Sequence, residues 1–91
     1  MHEVALVSAA IDLAIEAAFQ AGASQVERVT FALRPGGHVS CEAIRMLVEA
    51  LGRGTPVEGA AVEFEQMTDG QDSAEFVLRC IDVTVAHGTV D

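Results

Sequence analysis

The sequence predicts an α+β domain in the order α-β-α-β-β, two helices packed on one face of a three-stranded mixed sheet. Three observations predict it. Two stretches repeat apolar residues at three- and four-residue steps, the period of an amphipathic helix. Three others alternate apolar with polar residues or are rich in β-branched ones, the mark of strands. Glycine, proline and an Asp-Gly pair separate the five.

Residues 4 to 20 form the first predicted helix. Val4, Val7, Ile11, Ala14, Ile15 and Ala18 make its stripe, and Leu6, Leu13 and Phe19 widen it. A helix apolar around so much of its girth suits a place between a sheet and a neighbouring element. Gly22, in Ala21-Gly22-Ala23-Ser24, is its expected left-handed cap. Val26 to Arg34 is the first strand, with Val29, Phe31 and Leu33 on one face and Arg28, Thr30, Ala32 and Arg34 on the other. Pro35-Gly36-Gly37 stops it. Ser40 is the expected N-cap of a second helix whose stripe is Ile44, Leu47, Val48 and Leu51. Gly52-Arg53-Gly54 and Pro56 end that helix. Ala60 to Met67 is the second strand, Val62 and Phe64 opposing Glu63 and Glu65. Phe76 to Ala86 is the third, with Val77, Ile81, Val83 and Val85 sharing a face and Arg79 a polar exception. Between them Thr68-Asp69-Gly70-Gln71-Asp72-Ser73 reads as a turn, so the last two strands are expected to form a hairpin. The first two, joined through a helix, suit a right-handed crossover.

Ninety-one residues make one small domain whose stability margin is thin. A composition that is 51% hydrophobic disfavours disorder. Fourteen acidic residues against five basic ones, all arginine, give a net charge of −9. That argues against nucleic acid and anionic membrane surfaces, and it admits a cationic partner or a metal ion. The longest apolar stretch is broken by Ser8, Asp12 and Glu16, and no signal-peptide pattern precedes it, so a cytoplasmic location is expected. Cys41 and Cys80 form no CxxC, cannot build a four-cysteine zinc site, and are expected to be small core fillers.

Met1-His2-Glu3 runs directly into the first helix. The Met1 amine, the deprotonated His2 amide nitrogen and the His2 imidazole can close fused chelate rings in one plane. Square-planar nitrogen sites suit Ni(II) and Cu(II). The plainer structural alternative makes His2 an exposed residue and Glu3 a carboxylate favoured by the helix dipole. His38 sits on the glycine-rich loop before the second helix. His87 follows the last strand, and Met67, near a strand end, is expected to pack. No nucleophile–base pair, phosphate loop or paired carboxylates point to an enzyme.

Several runs carry a family resemblance. Met1-His2-Glu3-Val4-Ala5-Leu6-Val7, Val26-Glu27-Arg28-Val29, Glu42-Ala43-Ile44-Arg45, Gly54-Thr55-Pro56-Val57-Glu58-Gly59-Ala60 and Leu78-Arg79-Cys80-Ile81-Asp82-Val83 resemble, in order, segments of the HypA family of nickel metallochaperones. The resemblance implies a nickel-binding accessory protein for maturation of [NiFe]-hydrogenase. It implies exchangeable Ni(II) held by Met1 and His2, with Glu3 nearby. It also implies a maturation GTPase or a hydrogenase large-subunit precursor as partner. Two departures qualify it. The family's zinc domain, with two CxxC motifs, is replaced by the turn near residues 68–73, so no structural zinc is expected. An acidic residue of the family's nickel loop falls by position at Ser40, a poor ligand unless ionised, which makes His38 a candidate replacement donor. The alternative these departures suggest is a HypA-like adaptor or regulatory module that binds no metal. The exposed edges of a three-stranded sheet further predict a homodimer or a partner strand.

Overall fold

A computed structural model describes residues 2–34, 40–67 and 76–85, the side chains of His2 and Val85 excepted. Its elements are α1 (His2–Gln20), β1 (Ala23–Leu33), α2 (Cys41–Leu51), β2 (Ala61–Gln66) and β3 (Phe76–Val85). The expected hairpin turn at residues 68–73, the end of the last strand at Ala86, and His87 lie outside the described residues.

The sheet has the order β2-β1-β3. β1 pairs parallel with β2, Phe31 opposite Phe64, and antiparallel with β3 along nearly its whole length. β2 and β3 are therefore not a hairpin, contrary to the sequence-based expectation. They flank the central strand at opposite edges of the sheet. Charge gives a physical reason. Arg28 on β1 reaches Glu63 on β2 at 3.6 Å and Asp82 on β3 at 3.1 Å. With β1 central, one guanidinium serves a carboxylate on each neighbouring strand. Each exposed pair contributes little on its own, but all of them favour the same order.

Irregular registers decide which side chains face the helices. β1 carries an extra residue against β3 between Val26 and Arg28, so Val26 and Val29 both point inward despite their odd spacing, at 1% and 2% exposed. On β3 the extra residue is Arg79, between the Thr30–Cys80 and Phe31–Leu78 pairs. That bulge shifts the alternation. Phe76, Leu78, Ile81 and Val83 pack with the core, and Val77 instead lies across from Ala32. It also turns the Arg79 guanidinium outward to Glu65, 3.1 Å away on the opposite edge strand. The pair spans β1 near Ala32, which is buried although it faces away from the helices.

Both helices cover the other face. α1 buries Val7, Ala10, Ile11, Ala14 and Ala18, and its alanines let the helix come close to the sheet. Ala21-Gly22 reverses the chain, with Gly22 at φ 73 as expected. The wider apolar girth of α1 is not pressed against a neighbour. Leu13 and Phe19 are 61% and 76% exposed, and Val4 and Leu6 are also at the surface. α2 buries Ile44 and Val48, and Leu51 is exposed. At the centre Phe31 stacks on Phe64, with centroids 6.1 Å apart, and meets Phe76 edge-on at 5.7 Å. Such pairs add about 0.5–1.5 kcal/mol each beyond area burial. Phe31→Ala should cost about 3–5 kcal/mol, a large share of the roughly 5–15 kcal/mol typical of a domain. Urea unfolding followed by circular dichroism checks this, and a shift below about 1 kcal/mol would remove Phe31 from the centre of the core.

Candidate metal-handling end

The reversal at Ala21-Gly22 makes α1 antiparallel to β1. The parallel β1–β2 crossover makes α2 antiparallel to β1 as well. The two helices are therefore parallel, and both begin at the end of the sheet where β1 and β2 finish. Topology thus brings together the start of α1 (His2 and Glu3), the last residues of β1, the start of α2 (Ser40, Cys41 and Glu42) and Met67. The Met67 N–H donates to the Leu33 carbonyl at 2.8 Å. Met1 and His38 lie outside the described residues, as does the His2 side chain.

Helix geometry bears on the chelate in two ways. His2 is the first residue of α1, and the first four N–H groups of a helix have no partner within it. A metal can take the His2 amide nitrogen without breaking the helical ladder. Against that, two helix starts at one end place two partial positive charges there, which disfavours a cation. Glu3 and Glu42, in the first turns of α1 and α2, supply the compensating negative charge.

Ser40 has a structural duty. It caps α2 with extended backbone (φ −92, ψ 134), its Oγ accepting the Ala43 N–H at 3.2 Å. An oxygen engaged in this way is a poorer donor still. Among the described residues no group of three or more His, Cys, Asp or Glu side chains is placed to hold a metal. Both cysteines are exposed and unpaired, not core fillers. Cys80 lies mid-strand opposite Thr30 on the sheet face away from the helices. Cys41 opens α2, placing a sulfur at the same end as His2. Sequence periodicity missed this because Cys41 precedes the apolar stripe.

The longest run behind the family resemblance proves to be architecture. The Thr55 hydroxyl donates to the Gly52 carbonyl at 2.7 Å and accepts the Val57 N–H at 3.0 Å. The Glu58 carboxylate accepts the Gly54 N–H at 3.1 Å. Gly54 and Gly59 take φ 77 and 81, where a side chain would be strained. The loop then docks on β1, the Val26 N–H donating to the Pro56 carbonyl at 2.8 Å.

Two parallel helices on one face of a β2-β1-β3 sheet, starting together at the end that carries the amino terminus, define a small α+β domain with a terminal metal-handling end as its candidate site. The chain belongs to the HypA family: the family model described as hydrogenase/urease nickel incorporation, metallochaperone, matches residues 1–80. Two relatives named hydrogenase maturation factor HypA, from Aeromonas hydrophila and Aeromonas salmonicida, are each 40% identical over 65 residues, 71% of this chain and 58% of theirs. The chain thus spans 58% of the length of these relatives. The solution structure of the Ni metallochaperone HypA from Helicobacter pylori superposes with a TM-score of 0.75 over 92% of this chain and 98% of that one. At 15% identity that likeness establishes the fold.

Ser40→Ala should lower stability by about 1 kcal/mol, the usual cost of a lost N-cap, with no change in Ni(II) stoichiometry. Thermal unfolding beside a metal titration checks both halves, and loss of nickel would return Ser40 to the ligand set.

Proposed function

We propose that this chain carries Ni(II) as cargo in the maturation of [NiFe]-hydrogenase, holding it through the Met1 amine and the amide and imidazole nitrogens of His2. Glu3 balances charge at the helix start, and His38 is the candidate for the remaining position. The observation that carries this reading is the placement of His2 as the first helical residue, its amide outside the helical ladder, in a chain of this family. A site of few ligands at a chain end is open to exchange, as a carrier needs. Divalent affinity orders place Cu(II) above Ni(II) on such donors, so specificity would come from delivery. Recipients of matching role are a maturation GTPase or the hydrogenase large-subunit precursor. With two cysteines and no CxxC, these 91 residues offer no four-cysteine zinc site, so nickel is the one metal assigned. No helix among the described residues is long and apolar enough to cross a membrane.

Calorimetric titration of protein with a free Met1 amine should show about one equivalent of Ni(II), absent in His2→Ala and in a variant extended by one residue before Met1. Binding should weaken as pH falls, because amine, imidazole and amide must all be deprotonated. Retained binding in His2→Ala sinks the chelate. No binding in any form leaves the second reading, a metal-free adaptor, which the exposed apolar residues of α1 favour.

Self-association is the remaining part of the proposal, and it falls on the α1–β3 side. There Leu6, Ala9 and Leu13 flank Leu78 beside an edge strand. Light scattering should show a dimer that Leu13→Glu reverts to monomer, and a wild-type monomer across micromolar concentrations would rule the dimer out.

A further inference from the structure

Among the described residues β2 pairs with β1 alone, so half of its backbone N–H and C=O groups face outward, a template for another strand. Beside this edge, between α2 and residues 57–62, lies a cavity of about 450 Å³. Val48 and Val57, both core residues, line its floor. Arg45 and Arg53 stand on its rim.

Neither has an ion-pair partner among the described residues. Arg28 and Arg79 are held in ion pairs. Arg45 lies 5.2 Å above the ring of Phe64, fixed at the sheet edge by that contact. Of the two rim carboxylates, Glu58 is engaged by the Gly54 N–H, and Glu49 has no ion pair among the described residues. A chain of net charge −9 thus sets two guanidiniums and one carboxylate, none of them ion-paired among the described residues, at a single cavity.

A second copy does not fit this edge. Antiparallel pairing of β2 with itself puts residues of one face opposite one another, so Glu63 or Glu65 would meet Glu63 or Glu65 of the other copy, which is destabilising.

We propose that the β2 edge and its cavity accept an extended, carboxylate-bearing segment of another protein as a fourth strand. Side chains two apart on a strand point the same way. An apolar side chain can therefore enter the cavity over Val48 and Val57 while acidic side chains two positions before and after it meet Arg45 and Arg53. Main-chain bonds to β2 supply affinity, and the charge-assisted contacts supply selectivity. None of its residues is a proposed nickel donor, and its failure would leave the nickel proposal untouched.

The test uses the full chain and a labelled peptide, acetyl-Thr-Glu-Thr-Val-Thr-Glu-Thr-amide, beside its Gln-for-Glu counterpart. Fluorescence anisotropy measures affinity and amide chemical shifts map the contact. The acidic peptide should bind on the order of tenfold more tightly than the neutral one. Arg45→Gln with Arg53→Gln should abolish that difference, the paired Lys variants should keep part of it, and Glu49→Gln should tighten binding. Shifts should centre on Ala61–Gln66. Equal affinity for the two peptides, binding of neither, or shifts centred on β3 would overturn the proposal. Circular dichroism matching the wild type guards against misfolded variants.

Discussion

The domain depends on keeping β1 in the middle of its sheet. Two independent interactions enforce this from opposite faces of the same strand. On the helix side Phe31 stacks on Phe64 of one neighbour and meets Phe76 of the other edge-on. On the far side Arg28 draws a carboxylate from each neighbour. The aromatic contacts contribute the greater stability because they are buried. The ion pairs, weak singly, act in the same direction by tying β1 to both neighbours.

That placement sets where chemistry can occur. With β1 central and α1 antiparallel to it, both helices must start at one end of the sheet. The same packing that buries the α1 alanines therefore sets the start of α1 at the end of the sheet where α2 also begins. An amide at a helix start is available to a metal because the helix does not use it. Carboxylates in both first turns offset the helix dipoles that would otherwise oppose a cation. Ser40 serves the fold by capping α2.

The two edges of the sheet differ in character. β3 lies beside exposed leucines of α1 and offers an apolar seam. β2 alternates glutamates with half-buried residues and stands beside two arginines that no described carboxylate pairs. The two edges of one sheet thus present surfaces of unlike chemistry. The Gly54–Ala60 run shapes the second surface, since its internal hydrogen bonds hold Val57 under the cavity.

By itself the sequence determined the elements, because they rest on local physics: apolar periodicity in α1 and α2, alternation in β2, left-handed Gly22, and the Ser40 cap. It also offered Met1-His2-Glu3 as candidate donors, since those atoms are contiguous along the chain. Strand order was decided by tertiary structure, because the Asp-Gly turn signal says nothing of which neighbour β3 will prefer once Arg28 and Phe31 lie within reach. The faces of β3 were decided there too, since a bulge at Arg79 shows only when β3 is paired with β1. Exposure of Leu13, Phe19 and both cysteines depended on what lies across from them, which periodicity does not encode. That Arg45 and Arg53 share one cavity is equally a tertiary fact, produced by folding residues 57–62 against α2.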